Sequence, residues 1–206
     1  MRRSEILKSS PRMFESDFLD FFTRVHPSVP VIIFAPVIGV LTYMGFDGEG
    51  AATVAWMAGG YLFWTLTEYW LHRTVFHFER DNALVQRFHF MIHGVHHDHP
   101  NDRLRLVMPP SASLPLATLF LLLFSWVLGS GRWEGFAAGF LAGYLAYDML
   151  HFYVHHHVPK SAVGKKLREL HMRHHFQDHD RGYGVSAPYW DRVFGTSLAD
   201  RKKPSR

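Results

Sequence analysis

The chemistry of this chain starts in the string His89-Phe90-Met91-Ile92-His93-Gly94-Val95-His96-His97-Asp98-His99-Pro100. In a helix His89, His93, His96 and His97 fall at i, i+4, i+7 and i+8, a single face. Imidazoles crowded in this way repel one another when protonated and leave ring nitrogens unsatisfied when buried. A metal ion removes both difficulties, because neutral imidazole is a strong ligand for iron, zinc and copper. Three further clusters follow the same logic: His72-x4-His77, His151-x3-His155 and His171-x2-His174-His175. Spacings of three and four put rings one helical turn apart. The adjacent pairs His96-His97 and His174-His175 diverge by about 100°, so each of those helices offers one ring to each of two ions.

The candidate ligands are therefore His72, His77, His93, His96, His97, His151, His155, His171, His174 and His175. Ten are too many for one ion and suit a pair about 3.5–4 Å or more apart. The chain has no cysteine, which excludes thiolate zinc sites, iron–sulfur clusters and disulfides. An all-imidazole site suits iron. Zinc is admitted by the same geometry and, binding nitrogen donors more tightly than ferrous iron, would occupy the ligands in purified protein. Glu68 precedes His72 by four residues and Asp148 precedes His151 by three. Both are spaced to accept the second N–H of a ligating imidazole and fix its tautomer, the alternative being an interhelical hydrogen bond with no part in the chemistry. His89 is assigned to the same supporting layer. His99, His156, His157 and His179 are either supporting or solvated, and His26 beside Pro27 is ordinary.

These side chains need elements to hold them. Of 206 residues 16 are histidine, 16% are aromatic and only 19% are charged, a composition that leans toward a membrane protein. Four apolar spans run over 29–46, 51–71, 112–128 and 135–154. At 1.5 Å per residue they reach roughly 25–32 Å, matching a hydrocarbon core of about 30 Å. Short polar links at 47–50 and 129–134 make two tight hairpins. The net charge of +4 resides mostly in the remaining segments. It forms no stripe interleaved with stacking aromatics, so anionic lipid headgroups, not nucleic acid, are the expected partner. The positive-inside bias places both termini and the 72–111 segment in the cytoplasm, and with them every histidine cluster. Phe14, Phe18, Phe22 and Val25 recur at helical spacing, which reads as a short interfacial helix capped by Ser16 or Asp17. The expectation is an all-α integral membrane protein: an N-terminal interfacial segment over 1–28, then one domain over 29–206. That domain comprises four transmembrane helices and a cytosolic, histidine-rich cap of 72–111 and 155–206 holding a dinuclear metal site.

The ordered clusters resemble the fatty acid hydroxylase/sterol desaturase superfamily of membrane non-haem di-iron enzymes. Several longer strings are similar to its fatty acid 2-hydroxylase branch: Glu68-Tyr69-x2-His72-Arg73-x2-Phe76-His77, His93-Gly94-x-His96-His97 and Arg105-Leu106-Val107-Met108-Pro109-Pro110. So are Gly143-Tyr144-x2-Tyr147-Asp148-x2-His151-Phe152-x2-His155-His156, Gly182-Tyr183-Gly184-Val185-Ser186 and Trp190-Asp191-x-Val193-Phe194-Gly195-Thr196. The resemblance covers roughly residues 61–196. It implies two iron ions on the ten histidines and O₂-dependent hydroxylation at C2 of a long acyl chain of a fatty acid or sphingolipid. Eukaryotic members often carry an N-terminal haem domain of the b-type cytochrome class. Only about 28 residues precede the first span here, so a separate donor is expected, a b-type cytochrome or a ferredoxin with its reductase. A bacterial cytoplasmic membrane is the expected location, the endoplasmic reticulum the alternative. Arg73, Arg103 and Arg105 are candidates for holding a substrate headgroup or simply for anchoring at the interface.

Two other readings fit some of these residues. A sterol or carotenoid hydroxylase or desaturase would use the same metals on another lipid. A metal transporter or sensor would need ligands along a pore at mid-bilayer, whereas these gather at one end of the spans.

Overall fold

Proline, serine and glycine punctuate the chain where the helices begin and end. A computed structural model describes residues 2–78 and 81–198; the basic tail at 199–206, counted above as part of the cap, lies outside them. The described residues form α1 (Arg3–Ile6), α2 (Asp17–Phe21), α3 (Ser28–Glu49), α4 (Thr53–Leu71), α5 (Ala83–His89), α6 (Val95–Asp98), α7 (Pro110–Leu128), α8 (Arg132–His156), α9 (Ala162–Phe176) and α10 (Tyr189–Val193). No strand occurs among them. Ser16 caps α2 through the Leu19 N–H, Asn82 caps α5 through Leu84 and Val85, and Ser161 caps α9 through Gly164. Pro110 opens α7, where its missing N–H costs nothing, and Gly129 at φ 74° ends it.

The long helices α3, α4, α7 and α8 cover the four apolar spans. The helical stretch Ser28–Phe76 and α7 are long and apolar enough to cross a membrane, and only 22% and 11% of their most apolar windows are buried within the protein. Exposed apolar surface on that scale calls for lipid or a partner. α8 is longer than α7 but carries Arg132, Glu134 and Asp148.

The chain divides into two compact units. One comprises Ser10–Thr65 and Asp102–Phe152; the other comprises Leu66–Asn101 with the described parts of Met1–Ser9 and Tyr153–Arg206. In the first unit α4 and α8 meet backbone to backbone. A Cβ added at Gly139 would lie 1.9 Å from the Met57 carbonyl oxygen, and one at Gly60 would lie 1.9 Å from that of Phe136. Small residues at such crossings let van der Waals contact replace the hydrophobic drive that lipid cannot provide. The Trp64 ring, buried beside them, packs on Phe140, Tyr144 and Tyr147 at 5.2–5.8 Å. In the same unit Arg105 is buried against Asp20 at 3.3 Å, and Asp20 also pairs with Arg24. Arg105 is thus a structural cation and not the headgroup contact considered from the sequence. Arg73, in the other unit, donates to the Tyr69 hydroxyl at 3.0 Å.

Candidate metal centre

His77 lies five positions after His72, which on an α-helix would point their side chains about 140° apart. The backbone resolves this by widening. Residues His72–Phe76 form a π-helical turn, closed by the His77 N–H on the His72 carbonyl at 3.2 Å. The two Nε2 atoms consequently lie 3.3 Å apart. A second π turn, Phe90–Gly94, leads into α6. Such insertions are uncommon and concentrate at functional sites.

Two histidine groups result within this unit. In the first, one ring nitrogen from each of His72, His77, His93, His97 and His174 lies within 4.8 Å of all the others. His72 and His93 Nε2 are 3.1 Å apart, His93 and His97 Nε2 3.0 Å, and His77 and His174 Nε2 3.1 Å. In the second, His96, His155, His171 and His175 converge within the same limit. His171 Nε2 is 2.7 Å from that of His155 and 3.1 Å from that of His175. The groups abut: the rings of His97 and His175 stack with centroids 4.2 Å apart. The adjacent pairs are split between them, His97 and His174 in the first, His96 and His175 in the second. His151 is buried one turn before His155 on α8, its ring stacked on Tyr147. His89 enters neither group and lies 6.4 Å, ring to ring, from His77. His99 bonds Ser9 and the Ile6 carbonyl instead, and His26 bonds Ser28.

The ring tautomers follow from carbonyl partners. His72 Nδ1 donates to the Tyr183 carbonyl at 2.6 Å, and His174 Nδ1 donates to that of Arg181 at 2.7 Å. A neutral ring that donates from Nδ1 carries its lone pair on Nε2, so both turn a lone pair into the first group. Burial, reinforced by neighbouring imidazoles, lowers His77 and His97 to about 2, and burial lowers His174 to about 4. His93 and His175 are held well below the usual range for the same reasons. His72 and His174 have no proton to donate there, so the nitrogens about 3 Å apart in this group cannot all satisfy one another. A cation satisfies them together. The donor set, nitrogen throughout and buried, fits a borderline transition-metal ion.

The loop that carries these carbonyls is held by residues the spacing argument did not single out. The buried Asp191 carboxylate accepts from Tyr183 N–H and Gly184 N–H, both at 2.9 Å, and from the Thr196 hydroxyl at 2.7 Å. Thr196 in turn bonds the Tyr69 hydroxyl at 3.0 Å. Gly182 sits at φ 78°, with Leu198 where a Cβ would be. The Gly-Tyr-Gly string was the only sequence trace of this turn, because a backbone carbonyl acceptor has no residue type. Glu68 departs from its expected place. Its carboxylate accepts the Ser186 N–H at 2.8 Å and the Ser186 hydroxyl rather than an imidazole, so it fixes the loop and not a ring. Asp148, in the other unit, accepts from Met108 N–H at 3.3 Å and from the Tyr144 hydroxyl at 3.4 Å.

Comparison with known proteins adds four findings. The family model for fatty acid hydroxylases matches residues 57–196. The dihydroceramide fatty acyl 2-hydroxylase FAH2 of Arabidopsis thaliana is 40% identical over 188 residues, 90% of this chain and 79% of that protein. The fatty acid 2-hydroxylase of Homo sapiens is 32% identical across 92% of this chain and 57% of its own length. A solved structure, full length scs7p with only its hydroxylase domain visible, matches with a TM-score of 0.87 at 29% identity, covering 98% of this chain and 85% of that one.

Proposed function

The chain belongs to the fatty acid hydroxylase family, and from that premise we propose that it hydroxylates C2 of a long acyl chain in a fatty acid or sphingolipid. The observation that carries this reading is the pair of abutting, buried histidine groups with imidazoles held neutral. Five rings, His72, His77, His93, His97 and His174, would hold one ion. His96, His155, His171 and His175, joined by His151 from the preceding turn of α8, would hold the other. We assign iron as the working metal, with zinc able to take its place in isolated protein. Ions held there would supply O₂ activation and the cleavage of a strong C–H bond, chemistry that no side chain can perform.

The protein's own part is positional. The Tyr183 and Arg181 carbonyls keep protons off the inward Nε2 atoms of His72 and His174. Asp191 and Glu68 hold the loop that presents those carbonyls. Burial excludes water and keeps the rings unprotonated at neutral pH. Regioselectivity for C2 would come from where the acyl head is held relative to the ions. We propose a b-type cytochrome, or a ferredoxin with its reductase, as the source of electrons. The apolar, weakly buried Ser28–Phe76 stretch and α7 support a membrane location. We further propose four spans in two hairpins, an interfacial segment over 1–28 and a single domain beyond it, with the histidine groups and both termini on the cytoplasmic face. The named relatives favour acyl C2 over a sterol or carotenoid substrate.

The test is lipid mass spectrometry of a host that lacks 2-hydroxy acyl chains, with and without this gene. Products hydroxylated at C2, lost in His96→Ala, are expected. A host whose lipids stay unchanged while the protein accumulates in its membranes with metal bound would refute the reading.

A further inference from the structure

Helix α9 buries His171, His174 and His175 along one side. Lys165, Arg168, Glu169, Met172, Arg173 and Phe176 recur at i, i+3, i+4, i+7, i+8 and i+11, a face turned well away from those rings. Together with Val158 and Pro159 from the link before the helix, they line a groove of about 430 Å³. The groove and both histidine groups, His151 apart, belong to one compact unit.

The lining is cationic with apolar spots. Three basic side chains face one carboxylate. Glu169 pairs with Lys166 at 3.1 Å and with Arg173 at 3.8 Å, which leaves Lys165 and Arg168 outside any ion pair among the described residues. The buried Nε of Arg168 has no acceptor there. Val158 is 75% exposed and Phe176 49%. Phe176, part of the groove wall, also lies beside the metal centre: its ring centroid is 6.0 Å from that of His175. Hydroxylation of a C–H bond by O₂ puts one oxygen atom in the product and the other in water, which draws two electrons and two protons from outside the substrate. An electron arriving beside Phe176 meets a ligand ring directly behind it.

We propose that this groove is the docking surface for the electron donor, a small acidic redox protein whose carboxylates meet Lys165, Arg168 and Arg173 and whose redox centre comes to rest over Phe176. The proposal rests on the hydroxylase reading above and names the surface its donor uses. Electron-transfer encounters bury less than about 1,200 Å² and gain their speed from complementary charge. Two unpaired cations flanked by two exposed apolar side chains suit such a partner. A flat bilayer surface would meet only the rim of a concavity, whereas carboxylates on a protruding loop reach its floor.

The experiment uses iron-loaded, detergent-solubilised protein and two probes, an acidic b-type cytochrome and an acidic ferredoxin. Association with each immobilised donor is one readout. The other is oxidation of the reduced donor under argon, one electron passing from each donor to one ferric ion. Lys165→Glu with Arg168→Glu should slow association with at least one donor on the order of 10–100-fold at low salt, and its oxidation alongside. The difference should close between about 0.01 and 1 M salt, as the screening length falls from about 30 to about 3 Å. Arg192→Glu, which reverses an exposed cation outside the groove, should leave both rates close to the parent's. Unchanged bound metal and thermal midpoint show the double variant intact; if it does not fold, Lys165→Gln with Arg168→Gln should give a smaller fall of the same kind. Equal rates in parent and variant with both donors overturn the proposal. So does an equal fall in Arg192→Glu. Weakened binding to vesicles of phosphatidylglycerol and phosphatidylcholine, with donor rates unmoved, would make the groove a lipid contact and overturn it too. If the unaltered protein yields no 2-hydroxy chains in the host, the hydroxylase reading fails and this one with it. If it yields them and the donor rates hold, only the groove assignment falls.

Discussion

Replacing Asp191 by alanine tests whether the loop at 181–186 governs the histidines it touches. The carboxylate is 2% exposed and accepts from Tyr183 N–H, Gly184 N–H and the Thr196 hydroxyl. Removing it leaves three buried donors without that acceptor, at about 1–3 kcal/mol each. Relaxation and non-additivity bring the expected loss to about 3 kcal/mol. Freed of its anchor, the Tyr183 carbonyl no longer fixes the His72 tautomer, and supporting contacts of this kind are worth about 10–100-fold in metal affinity. Asp191→Asn, which keeps one acceptor oxygen, should fall between the alanine variant and the parent. The assay is chelator competition on detergent-solubilised, metal-loaded protein, read as metal retained per chain, beside the midpoint of thermal unfolding. A lower midpoint with unaltered metal affinity would make Asp191 purely structural. Unaltered values of both would refute the account of the loop.

Three further outcomes follow from the same geometry. His97→Ala and His175→Ala, one ring from each group, should each lower bound metal by about one ion per chain, since neighbouring nitrogens remain to hold the other; elemental analysis reads this, and loss of both ions in each variant would mean the groups act as one site. The site should weaken in acid. With His77 and His97 at about 2 and His174 at about 4, against 6.5 for a free imidazole, the unfolded chain binds more protons than the folded one below about 6.5. Stability is therefore fully present above that pH and is lost as pH falls toward the folded values, with metal released alongside; a flat profile from pH 7 to 4 would contradict the assignment. Finally, Gly139→Ala should force α4 and α8 apart, because its Cβ would overlap the Met57 carbonyl, at a cost of about 1–3 kcal/mol or more, whereas Gly39→Ala, with nothing within 4 Å, should be neutral or stabilising by about 0.5–1 kcal/mol. Thermal unfolding in detergent compares the two.

Much of this arrangement is written in residue periodicity. Apolar runs between Gly- and Asp-containing links mark the long helices to within a few residues, because a stretch with no polar face has few other ways to satisfy its backbone. The division of His96 from His97 and of His174 from His175 follows from the 100° step of a helix. Other features were hidden for identifiable reasons. The approach of His72 to His77 depends on a π turn, which no hydrophobic pattern signals. Glu68 has the spacing of an imidazole partner, yet its nearest donors come from Ser186, a residue 118 positions away. Arg105 reads as a headgroup contact or interface anchor until the fold brings Asp20 to it. Tyr183 and Arg181 contribute through their carbonyls, which every residue possesses.

The widened turn at His72–Phe76 also bears on how such a site arises and fails. One residue more than an α-helical repeat has been accommodated in the last turn before the helix ends, so His77 is offset by a single position. Deleting any one residue between His72 and His77 would restore the regular repeat and swing the second imidazole back to the spacing of an ordinary turn. The coordination at this corner is thus decided by chain length as much as by residue identity, and indels are the changes to which it is most exposed.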